Sequence, residues 1–133
     1  MARSRGRLAR RDEGGASAVE LAMYMPILML VIFMAVQFSL VYLGNATASA
    51  VAREAARVAR VTGDTVAGEQ AGRQYAANIG NGTLDDVDVN VDPIAGTRVR
   101  AVVSGRAQEL IPALVPRVTQ TVEGPIEEFK VDQ

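Results

Sequence analysis

The residues of this chain best placed to do chemistry are a glycine and a lone carboxylate at the entrance to an apolar run, Gly15-Ala16-Ser17-Ala18-Val19-Glu20. The carboxylate stands five residues after the glycine, and no further formal charge occurs until Arg53. An ionised carboxylate at the edge of hydrocarbon is expensive unless a cation or hydrogen-bond donor meets it, so Glu20 calls for a partner. Other chemistries are poorly supplied. The 133 residues include no Cys, His or Trp, which removes thiol chemistry, disulfides, Cys/His zinc sites and the commonest general base. The series Asp86, Asp88, Asn90 is similar to the opening of a calcium loop. Val91, however, stands where that loop needs glycine and Thr97 where it needs a bidentate glutamate. No catalytic residue, metal site or cofactor is expected.

The element that must position Gly15 and Glu20 is the run from Leu21 to Leu43, which carries no charge and as a helix spans about 35 Å, enough to cross a bilayer. Arg3, Arg5, Arg7, Arg10 and Arg11 precede it, so the positive-inside bias orients the N-terminus to the cytoplasm. A topology role accounts for these arginines, and no nucleic-acid partner is needed. An ordinary secretory signal has a shorter apolar core and an earlier cut than Ala46-Thr47-Ala48 would allow. Inside the run, Pro26 removes a backbone hydrogen bond and predicts a kink. Gln37 can bond to a second helix, and Ala35 with Ser39 forms a small-xxx-small pair for close helix approach.

Beyond Gly44 the helical pattern continues, with Ala48, Val51, Ala52, Ala55, Val58 and Ala59 on one face and Arg53, Arg57 and Arg60 on the other. That Ala-rich face can be buried against the strands of its own domain or against other subunits. Thr62-Gly63-Asp64 breaks the run, and Asp64 or Thr65 can cap a second helix through Val66, Gln70, Tyr75 and Ile79, ended by Gly80-Asn81-Gly82. Val87, Val89 and Val91 alternate with acidic or amide residues as in a half-buried strand; further strands are expected near Thr97 to Ser104 and Arg117 to Glu123. The stretch Glu109 to Pro116 holds two prolines and reads as a loop or broken turn. The expected fold is α+β: a long N-terminal membrane-spanning helix continuing into a small extracytoplasmic domain with a second helix and about three short antiparallel strands. Its expected divisions are a basic cytoplasmic leader over 1–15, a transmembrane helix over 16–44 and the outer domain over 45–133.

The stretch Arg10 to Arg60 resembles the TadE-like proteins, minor pseudopilins of the tight-adherence type IV pilus system. Gly15 before Glu20, Pro26, and Ala52-Arg53-Glu54-Ala55-Ala56-Arg57 carry the likeness, which covers the second half of the chain only in outline. The resemblance implies a pilin-like fold and a prepilin peptidase cut after Gly15, with Ala16 as the new N-terminus and Glu20 as the fifth mature residue. Glycine lets the backbone enter a tight protease site without steric cost. The freed amine of Ala16 on a neighbouring subunit would then neutralise Glu20 as apolar helices pack, making the carboxylate a register device. Major pilins of these systems usually have Tyr directly after the Glu, whereas Leu21 follows here, which favours a minor subunit.

The function expected from this resemblance is assembly of a tight-adherence pilus or related secretion apparatus. The implied partners are the lipid bilayer, a prepilin peptidase and other pilins or pseudopilins. The protein would sit in the cell membrane as a single-pass chain or enter a surface pilus. The alternative is an unprocessed, single-pass anchor presenting an extracellular binding module. An enzyme is not expected: no phosphate-cradling glycine loop is present, and no Ser is paired with a recognisable base.

Overall fold

The computed structural model describes residues 9–110 and 117–127, with side chains from Ser17 onward. Helix α1 runs over Ala9–Thr62 and α2 over Thr65–Ile79; strands β1 (Leu84–Ile94), β2 (Arg98–Ala107) and β3 (Arg117–Pro125) follow. The fold is α+β, with the three strands in one antiparallel sheet of order β1-β2-β3. Two compact units divide the chain, residues 1–36 and 37–133, so the packed domain begins at Gln37, inside the apolar run. The first unit consists, where described, of helix alone; Gly14, Gly15 and Pro26 all lie within α1. The arginines at 3, 5 and 7 lie outside the described residues.

In the second unit, the stretch of α1 from Ala48 to Ala59 provides one wall of the core. Ala48, Val51, Ala52, Ala55 and Ala59 are fully buried and Ala56 nearly so. They meet Val89, Val91, Val99, Ala101, Val103, Ala107 and Val118 from the sheet. Of the two destinations open to the Ala-rich face, burial within its own domain is the one found. Small residues on the helix allow close approach to the valines of the sheet, each worth about 1.5–3 kcal/mol when fully buried.

The second helix starts where the capping pattern predicts: the Asp64 carboxylate accepts from the Val66 N–H at 2.9 Å. Its buried side differs from its most apolar side. Gly68, Gly72 and Ala76 face inward at intervals of four, while Val66, Tyr75 and Ile79 are exposed. A methyl group on Gly68 would lie 2.7 Å from both the Ala55 carbonyl oxygen and the Ala59 Cβ; one on Gly72 would lie 2.9 Å from the Ala55 Cβ. The two helices therefore cross at a distance only glycine permits.

A bulge in β1 sets the sheet's register. Asp85 pairs with Arg106 and Asp88 with Ser104, so Asp86 and Val87 together oppose Gly105. Asp86 takes φ 51°, and Arg117 donates to its carboxylate at 2.7 Å. The extra residue reverses the face alternation and brings Leu84 to the same side as Val89 and Val91. A Cβ on Gly105 would sit 2.9 Å from Leu84 Cγ, so the bulge and that glycine fit together. The outer edge of β1 is covered by α2, with Glu69 accepting from the Val91 N–H at 3.2 Å and Arg73 reaching the Val89 carbonyl at 3.5 Å.

Candidate functional site

The candidate site is the apolar stretch of α1 and the residues that flank it. The helix over Ser17–Thr62 contains an 18-residue window of mean hydropathy 2.3, of which 11% is buried, so it is apolar enough to cross a membrane. From Met23 through Val36 the large side chains lie open on all sides of the helix, Met23 at 72% and Phe33 at 52%. A stretch apolar all round and uncovered by its own chain suits a lipid environment and not water.

Gly15 and Ala16 fall within the helical backbone ahead of the described side chains, and Glu20 stands exposed one turn after Ala16. The three are thus carried on one continuous helix. Nothing else among the described residues approaches Glu20 with a hydrogen bond or ion pair. Ala35 and Ser39 are exposed, while Gln37 is buried. Gln37 is engaged within its own chain through one of its two polar atoms: its Oε1 accepts from the Leu110 N–H at 3.0 Å. Its Nε2 has no partner among the described residues. Gln37 thus lies on the face of α1 turned toward Leu110, three residues past the end of β2.

Sequence periodicity did not reveal the contacts that tie this part of α1 to the sheet. A Cβ at Gly44 would lie 2.7 Å from the Ala107 Cβ, so β2 ends directly against the helix there. Asn45 accepts from Gln120 of β3 at 3.0 Å, and Thr47 shares a hydrogen bond with Thr83 at 3.2 Å. The sequence did hold a hint: Gly44 and Asn45 follow directly on Leu43, where the long apolar run ends. Further along, Glu54 holds Arg57 through two hydrogen bonds of 2.7 and 2.9 Å. Hydrogen bonding to Arg57 lowers the Glu54 carboxyl below its ordinary value, against a smaller opposing effect of burial. Arg57 is correspondingly raised by its bond to Glu54. Among the described residues no group of acidic or metal-ligating side chains could hold a metal ion.

These features define a class: a chain with, among its described residues, one candidate membrane span whose helix runs on into a small α+β domain. Within that class, residues 15–57 match the family model described as TadE-like protein. The match begins at Gly15, takes in Glu20, Pro26 and the apolar run, and ends at Arg57 within the buried Ala-rich stretch. Comparison with curated proteins and with solved structures gives no match.

Proposed function

We propose that this protein is a minor pseudopilin-like subunit for assembling a tight-adherence pilus or a related secretion apparatus, matured by a prepilin peptidase that cuts after Gly15. The observation that carries the reading is the position of the family match: it starts at Gly15, on a helix that carries Glu20 and then an apolar run exposed as far as Val36. The family's involvement in tight-adherence pilus systems supplies the setting. Cleavage would release the arginine-bearing leader and leave a free amine at Ala16, a cation able to meet Glu20 of a neighbouring subunit where the helices pack. In this reading the arginines hold the N-terminus inside, the apolar run crosses the bilayer, and residues 45–133 lie outside. The protein acts by assembly and not by catalysis, and its partners are lipid, the peptidase and other pilins or pseudopilins.

Intact-mass and N-terminal analysis of the protein recovered from native membranes tests this. A start at Ala16 supports processing and assembly. A chain that keeps its leader in every mature form would instead identify a permanently anchored binding module.

A further inference from the structure

The turn that joins α2 to β1 holds a reactive pair that the assembly role does not use. Asn81 is followed by Gly82, whereas Asn45, Asn78 and Asn90 are followed by Ala46, Ile79 and Val91. Before glycine, the side-chain amide carbon of an asparagine is open to attack by the next backbone nitrogen, because no Cβ crowds that nitrogen. The attack also needs an unengaged N–H, an amide that is not held, and access to water. The turn supplies each of these.

Gly80 closes the turn: its carbonyl accepts from the Thr83 N–H at 2.9 Å, the Leu84 N–H at 3.0 Å and the Thr83 hydroxyl at 3.2 Å. Neither the Gly82 N–H nor the Asn81 side chain makes a hydrogen bond among the described residues. Both residues are exposed, and a Cβ added to Gly82, at φ 79°, would meet nothing within 4 Å. At the other asparagines the following nitrogen is occupied. The Val91 N–H after Asn90 donates to Glu69 at 3.2 Å. Ala46 and Ile79 lie within helices, where their N–H groups bond to the preceding turn. Asn45 is itself held, donating to the Val41 carbonyl at 3.1 Å and accepting from Gln120 at 3.0 Å.

We propose that Asn81 is a self-modification site, at which Asn81 and Gly82 close a succinimide ring that reopens as aspartate or isoaspartate. The Gly82 nitrogen gives its proton to solvent and bonds to Asn81 Cγ. The bond from Cγ to Nδ2 breaks, and Nδ2 takes up a proton and leaves as ammonia. Water then adds to either ring carbonyl. Opening at Cγ keeps the ordinary main chain and leaves a carboxylate; opening at the Asn81 backbone carbon routes the main chain through Cβ and Cγ. Each event consumes a water and releases an ammonia, with nothing oxidised or reduced.

The change falls on a joint of the fold. Thr83, in the same turn, shares a 3.2 Å hydrogen bond with Thr47 of α1. Asn81 also lines a shallow recess with Arg73, Ala76, Leu84 and Val87. A carboxylate at 81 adds an anion to the recess that Arg73 lines, and the bonds that now hold Arg73 are long, 3.5 Å to the Val89 carbonyl and 3.9 Å to Glu69. Isoaspartate lengthens the connection between α2 and β1.

The full chain, folded in micelles, is incubated at neutral and at mildly alkaline pH in water enriched in heavy oxygen, beside the same chain unfolded in urea. Peptide mass spectrometry with fragmentation follows every asparagine. The expected result is replacement of NH by heavy oxygen at Asn81 alone in the folded chain, faster at the higher pH, with isoaspartate exceeding aspartate. Its rate should lie within about tenfold of the rate in urea, a barrier difference under about 1.4 kcal/mol. Aspartate without isoaspartate would mean direct hydrolysis of the side chain and overturns the ring. Conversion in urea but not in the folded chain would show that the turn protects the pair, and overturns the site. Conversion at Asn90 as fast as at Asn81 overturns it as well.

Discussion

Replacing Gly68 with alanine should destabilise the domain although alanine is the better helix former. The perturbation is one methyl group at the crossing of α1 and α2, 2.7 Å from the Ala55 carbonyl oxygen and 2.7 Å from the Ala59 Cβ. Neither neighbour can rotate away, because one is backbone and the other is a methyl fixed to it; the helices must separate. Overpacking of this kind costs about 1–3 kcal/mol. Helix propensity returns about 1 kcal/mol on exchanging glycine for alanine. With two rigid neighbours the strain falls in the upper half of its range, leaving a net loss of about 1 kcal/mol, or about fivefold in the folding equilibrium. Native-state hydrogen exchange of the full chain in micelles reads this at the buried β2 amides of Val99, Ala101 and Val103, which should exchange about fivefold faster through global opening. Asn78→Ala, at an exposed position of the same helix, serves as the control and should slow exchange slightly. If Gly68→Ala slowed exchange as the control does, propensity would outweigh contact and the close crossing would be refuted.

Other expectations follow from single features. Asp86 sits at φ 51° in the bulge, so Asp86→Val should cost about 1–3 kcal/mol, whereas Asp86→Gly, which loses only an exposed ion pair, should cost under about 1 kcal/mol by the same measurement. Equal losses would place the importance of the residue in its charge and not in its backbone. Glu54 has a lowered folded-state pKa, so its bond to Arg57 contributes fully above the ordinary value of 4.5 and is lost as pH falls through the lowered value. The pair is exposed, so the loss should be small, and an acid titration of stability with Glu54→Gln beside the parent should differ only in that acid window. In the proposed assembly role, Glu20→Ala should still be cut after Gly15, as judged by mass, yet fail to support pilus formation. Unchanged assembly would remove the pairing of Glu20 with a neighbour's amine.

The exposed face of α2 shows where reading by pattern stops. Val66, Tyr75 and Ile79 supply the apolar signal of this helix, yet they lie outward while Gly68, Gly72 and Ala76 meet α1. Periodicity weighs side chains by hydrophobicity, whereas close helix crossing selects for small size, and the two criteria choose different faces. Gln37 shows a similar limit: its chemistry announces a need for a partner, but a donor 73 residues later in the chain is fixed only when β2 runs back along the helix.

By itself the sequence determined the local properties: a charge-free helix long enough to cross a bilayer, glycine and glutamate at its entrance, the Asp64 cap and the alternation that forms strands. These follow from interactions within a few residues, whose energies depend little on the rest of the chain. Tertiary structure decided where the chain divides into compact units, at Gln37, and which side of each element is covered. It also decided the bulge that brings Leu84 to the core face. Those outcomes depend on whether distant surfaces match in shape to within a methyl group, and on which long-range hydrogen bonds then close.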